Sequence, residues 1–122
     1  SMALTGAEAV IDELAPVRAL NPHLDTIRLL PCRVTRTRHA RAVIGALESG
    51  YPGEVTTVRI RETIKLAEAA DARQPITTYA PESVGSLDYR AFAHELLGSE
   101  IGTKEATVSR WRGALTWARS GR

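Results

Sequence analysis

The feature that most narrows the possible folds is an alternation of period along the chain. Ala7 to Leu20 carries Val10, Ile11, Leu14, Val17 and Leu20 at helical spacing. Thr5 is the expected N-cap, with Glu8 three residues later as in a capping box. Pro16 falls inside this pattern, so either a kink or two shorter helices is expected, ended by Asn21-Pro22. Thr26 to Pro31 is short and mostly apolar, the pattern of a buried strand. A second helix is expected from Arg38 to Ser49 on Ala42, Val43, Ala46 and Leu47, closed by Gly50 and the Tyr51-Pro52-Gly53 turn. Val55 to Ile60 is β-branched and reads as the next strand. A turn or two of helix over Ile64 to Ala70 precedes Gln74-Pro75. A third strand over Ile76 to Tyr79 and a turn at Ala80-Pro81 come next. The last core helix, Ser86 to Leu97, uses Leu87, Ala91, Phe92, Leu96 and Leu97.

Strand, helix, strand, helix, strand, helix implies parallel strands with right-handed crossovers, so the expected class is α/β. Three short parallel strands with flanking helices make an incomplete three-layer core, because such a sheet needs both faces covered and keeps two open edges. The stretch 1–97 therefore reads as half of a larger sheet, and 98–122 as a basic helical tail. In that tail Thr103 to Ala118 has an amphipathic spacing on Val108, Trp111 and Leu115.

Charge is informative through its placement. The chain has 16 basic and 14 acidic residues in 122, and only Lys65 and Lys104 among the cations are lysines. Between Asp25 and Glu48 there is no acid, yet Arg28, Arg33, Arg36, Arg38 and Arg41 all fall there. An arginine fork grips phosphate in two-point fashion, so the cluster suits nucleic-acid contact; a solvated face at a strand-to-helix junction is the plainer reading. No apolar run approaches the ~20 residues that a membrane span needs, and no signal-peptide pattern is present. Ser1 reads as an addition ahead of a start methionine, Met2.

Catalytic signatures are missing. Neither lysine follows a glycine between a strand and a helix, so no phosphate loop is present, and there is no G-x-G-x-x-G or G-x-S-x-G. His23, His39 and His94 lack partners at metal-ligand spacing. Cys32, the single cysteine, cannot close an internal disulfide. The neighbouring Arg33 would lower its thiol pKa, while a place at a strand end suits plain packing. The chain alone reads as not catalytic.

Several short segments, in order, resemble one family. Ala3-Leu4-Thr5-Gly6 is similar to an A-L-E-G opening, and Leu30-Pro31-Cys32-Arg33-Val34 with Arg36-Thr37 to a strand end and Arg-Thr loop. Arg61 with Ile64-Lys65-Leu66-Ala67-Glu68-Ala69 is similar to P-R-N-V-R-L-S-E-A, and Gln74-Pro75-Ile76 to G-K-P-I. Tyr79-Ala80-Pro81-Glu82-Ser83-Val84-Gly85 with Tyr89-Arg90 is similar to Y-D-P-K-S-x-G followed by Y-R. From Ala3 to Leu97 the chain thus resembles the C-terminal half of the ParA/Soj partition ATPases, relatives of MinD. The resemblance implies half of a deviant-Walker P-loop NTPase fold, whose ATP- and Mg-binding N-terminal half is not in this sequence.

It also implies a role in plasmid or chromosome partition, non-specific DNA binding in the bacterial cytoplasm at the nucleoid, a homodimer or a missing N-terminal half, and a ParB-type activator; no membrane is involved. Arg36 and Lys65 correspond to the family's DNA-contacting positions, with Arg33, Arg38 and Arg41 beside the first. The plainer reading of Lys65 is a solvent-facing lysine. Where the family has P-R-N beside the nucleotide, this chain has Ile60-Arg61-Glu62, which leaves Arg61 and Glu62 as weak nucleotide contacts. Two alternatives compete. Leu97 to Trp111 resembles a helix-turn-helix spacing for sequence-specific DNA binding, with Thr107, Ser109, Arg110 and Arg112 toward the groove. The other alternative is a self-associating interaction domain.

Overall fold

A computed structural model describes residues 1–24 and 27–101, the side chains of 99–101 excepted. Its elements are helices: α1 (Met2–Leu20), α2 (Arg38–Gly50), α3 (Ile64–Asp71), α4 (Ile76–Tyr79) and α5 (Val84–Ile101). They fall into two compact units. The first comprises Ser1–Leu29 with Thr37–Val55, the second Leu30–Arg36 with the chain from Thr56 onward. Among the described residues no helix is long and apolar enough to cross a membrane.

In the first unit α1 packs on α2. Helix α1 begins at Met2, earlier than the expected Thr5 cap; Thr5 is inside, its N–H bonded to the Ser1 carbonyl at 3.1 Å. The helix continues through Pro16 as one element and ends where Asn21 donates back to Val17 at 2.9 Å, just before Pro22. Thr37, with extended backbone, caps α2 by accepting the Ala40 N–H on its hydroxyl at 3.1 Å. The buried side of α2 is Ile44 and Leu47, with Ala40 and Val43 half-buried, while Ala42 and Ala46 lie in solvent. That face is turned by part of a helical step from the one expected, because the chain buries Ile44 and leaves the two alanines out. Gly53, at φ +80, supplies the left-handed residue of the turn that follows.

The expected three-stranded parallel sheet is corrected: among the described residues there is no continuous β-strand, only two isolated parallel bridges, Leu29 to Val55 and Val34 to Arg61. The reasons are local. After Pro31, which has no N–H to give, Arg33 takes a left-handed backbone (φ +53) and interrupts the extended run. In the second unit Ile60 donates to Pro31 and Val34 to Ile60, at 2.9 and 3.0 Å, and Glu62 donates to Val34 at 3.1 Å. Residues Val55 to Ile60 stop short of a strand because side chains take their ladder groups. The Thr56 hydroxyl donates to the Val58 carbonyl at 2.7 Å, and Glu95 accepts the Thr57 and Val58 N–H groups at 2.7 and 3.3 Å. Ile76–Tyr79, the expected third strand, is one helical turn. Pro75 precedes it, and its carbonyl accepts from both Thr78 and Tyr79 at 2.9 Å.

The core of the second unit joins Val58, Ile60, Ala69, Ile76 and Ala91, with Phe92 packed against Val58 and Ala91. Gly85 lets α5 come close to α3 and α4: a Cβ there would lie 3.0 Å from Leu66 Cγ and 3.4 Å from Ile76 Cγ1. Two carboxylates seven residues apart, Asp88 and Glu95, fasten α5 to the extended segment beside it. Without a sheet there is no P-loop NTPase half-fold, and the ParA/Soj resemblance fails as a statement about the fold. Of the basic tail, 98–122, only residues 98–101 are described, as the end of α5; its amphipathic helix over Thr103 to Ala118 and most of the Leu97 to Trp111 motif lie outside the described residues.

Candidate functional site

The cations singled out in the sequence divide by their partners. Arg61 is the most enclosed: its guanidinium makes a two-point contact with Asp88, Nε to Oδ2 at 2.9 Å and Nη2 to Oδ1 at 2.7 Å, and its own N–H reaches Oδ2 at 3.0 Å. Burial lowers the Arg61 pKa; Asp88 works against that and the charge of Arg36 adds to it. With side-chain exposures of 14% and 2%, this pair is part of the interior. Arg33 reaches Glu62 at 3.3 Å on the surface. Arg33 and Glu62 border a half-open cleft of about 660 Å³ whose other walls are Thr63, Ile64, Leu66 and Ala67.

Lys65, in the first turn of α3, donates to Glu68 at 2.9 Å, and the Tyr79 hydroxyl donates to the same oxygen at 3.2 Å. The hydrogen bond with Glu68 raises the Lys65 pKa and, in return, holds the Glu68 carboxyl below its ordinary range. Exposed pairs of this kind exchange readily for another anion. Cys32 reaches solvent, but partial burial pushes its thiol up, so the neighbouring Arg33 does not make it a reactive thiolate.

Arg36, Arg38 and Arg41 behave differently. All three are exposed, and among the described residues no carboxylate lies at ion-pair distance from them. Arg36 belongs to the second unit; Arg38 and Arg41 belong to the first, where they share one face of the opening turn of α2. That turn also carries His39 and has no acidic residue. The N-terminal end of a helix is its positive end, so cations there are unfavourable by a few tenths to 1 kcal/mol each. Placement against the dipole concentrates positive potential at one spot, which is the electrostatic requirement for holding phosphate.

Asp88 and Glu95 were not legible as special. The signal that finds them is an acid on the apolar stripe of a helix: positions 88, 91, 92 and 95 share a face, and two of the four are carboxylates. Among the described residues no group of three His, Cys, Asp or Glu side chains could hold a metal ion.

No family model matches the chain, and no solved structure matches it. Two curated relatives are each 38% identical over 96 residues: "Uncharacterized protein MT1749" from Mycobacterium tuberculosis strain CDC 1551 / Oshkosh, and "Uncharacterized protein Rv1708" from strain H37Rv. The match covers 77% of this chain and 30% of each relative, so the chain spans under a third of their length. With no matching family model and no sheet among the described residues, the partition-ATPase assignment is corrected in full. The fragment-of-an-ATPase function, the ATPase parent and the ATP/Mg cofactor link all fall with it. Arg61 and Glu62, the weak nucleotide candidates, pair with Asp88 and Arg33.

Proposed function

We propose that this chain contacts nucleic-acid backbone without regard to sequence, through Arg38 and Arg41 on the first turn of α2. Arg36, in the second unit, is a separate and lesser contact. The carrying observation is the pair of exposed arginines at the positive end of α2 with no acid in that turn. A fold gains nothing from that placement, whereas a phosphate would neutralise the arginines and release its own counterions. The acid-free run from residue 26 to 47 supports the same reading, since no carboxylate there competes with the phosphate. Such a role belongs to the cytoplasm, where the nucleic acid is.

The test is fluorescence anisotropy with a duplex of arbitrary sequence, between about 50 and about 200 mM salt. Affinity is expected to fall steeply across that range and to be the same for unrelated duplexes. Arg38→Ala with Arg41→Ala should weaken binding and reduce the slope of log affinity against log salt by about 2. Arg33→Ala, which removes a cation already paired with Glu62, should change the slope less. Equal slopes for the double variant and the parent would remove α2 from the interface.

A further inference from the structure

We propose that the outward face of α1 is an interaction surface for the α1 of a second copy of this chain, the two helices running antiparallel. The motive is a long helix with apolar residues on two faces, one of which no described residue covers. None of the 19 residues of α1 is buried. Leu4, Ala7, Ile11 and Leu14 form a half-buried seam. A second seam stands in solvent: Met2 is 92% exposed, Val10 63%, Val17 45% and Leu20 89%. A helix that is apolar around most of its circumference ordinarily has neighbours on most sides. The exposed patch is of the order of 500 Å², at the upper end of what a monomer shows, and two such patches reach about the 1,000 Å² of a specific interface.

The occupant follows from the register of that seam. Ala3, Gly6, Val10, Glu13, Val17 and Leu20 succeed one another in steps of three and four, the spacing of a coiled-coil seam. Small residues lie at its start and large ones at its end. If two copies meet antiparallel about a two-fold axis between residues 11 and 12, Leu20 faces Ala3, Val17 faces Gly6, and Val10 faces Glu13, each twice. The two outer pairs then set a large side chain on a small one, so the ends of the surface are complementary to each other, as a two-fold interface requires. A parallel pair would set Leu20 on Leu20, Gly6 on Gly6 and Glu13 on Glu13, leaving holes at one end and like charges in register. Neighbouring positions Met2, Ala7, Ala9 and Leu14 are also uncharged. Glu13 is the one charge in the seam, and even in the antiparallel arrangement it lies near its own copy; the pairing is therefore weak and concentration-dependent. This inference uses α1 alone and does not rest on the arginines of α2.

Sedimentation velocity on the full chain, over about a hundredfold range of concentration, tests it. The parent should pass reversibly from one-chain to two-chain mass. Glu13→Leu removes the charge and should tighten the association at least tenfold; Val17→Asp should weaken it at least tenfold. Gly6→Leu separates association from folding. A side chain there meets nothing within 4 Å in the single chain, and glycine is a poor helix former. That variant should therefore raise the thermal midpoint while weakening association, because it fills the hole meant for Val17.

Orientation is read by cross-linking in a Cys32→Ser background under oxidised glutathione. A Gly6→Cys chain mixed with a Val17→Cys chain should form a disulfide-linked pair, and neither should link to itself. One-chain mass at every concentration for both the parent and Glu13→Leu would overturn the proposal and assign the face to another polypeptide. Self-linking of Val17→Cys, without linking in the mixture, would overturn the antiparallel register.

Discussion

Asp88 lies at 1% exposure, and three N–H groups of Arg61 surround its side-chain oxygens. Taking one partner away leaves the other charged and buried, which is far costlier than never having placed the pair. Asp88→Asn is accordingly expected to lower the unfolding free energy by about 3 kcal/mol in urea titration. Replacing both partners with apolar residues of like volume should recover most of that loss. An unchanged urea midpoint for Asp88→Asn would show that the pair holds nothing. Its partner Arg61 shows what neighbours in the chain leave out, because the two lie 27 positions apart and only the fold joins them.

At the scale of elements, the helices were legible and the strands were not. The apolar period from Arg38 marks α2, and Gly50 with Pro52 and Gly53 marks its end; both signals are local and both hold, while the Thr37 cap is seen only in the fold. The β-branched run at Thr56 to Val58 carried the opposite hazard, because threonine favours strands by propensity yet carries a hydroxyl that competes for backbone groups. Ile76–Tyr79 shows the same limit, since four β-branched or aromatic residues are too few for propensity to outweigh a proline at the helix start. The α2 cap can be tested directly. Thr37→Ala removes the acceptor for the Ala40 N–H and should cost about 1 kcal/mol in thermal or urea unfolding. Thr37→Asp, which also caps and adds a negative charge at the positive helix end, should recover the stability while weakening nucleic-acid binding. A variant set in which stability and binding move together would show that Arg38 and Arg41 matter only through the helix.

For the whole molecule, the sequence pattern conveyed where elements begin and end better than what they build. A sheet needs partners distant along the chain, and nothing in a single strand-like run says whether its N–H and C=O groups will be taken by a neighbouring strand or by a carboxylate such as Glu95. The acid-free arginine run could be read at once because charge needs no partner to be counted. Its division among the described residues, with Arg33 paired and Arg36, Arg38 and Arg41 not, depends on Glu62, which only the fold brings to Arg33. The outward seam of α1 was present in the heptad steps from Ala3 to Leu20, but it was absorbed into a single apolar face until the exposures separated the two. The close approach at Gly85 carries a consequence for comparison among related chains. Since a methyl there would press on Leu66 within 3.0–3.1 Å, bulk at the two positions has to be traded. Homologues with alanine or serine at the first should carry a shorter residue at the second, and a collection of such sequences would show the two columns changing together.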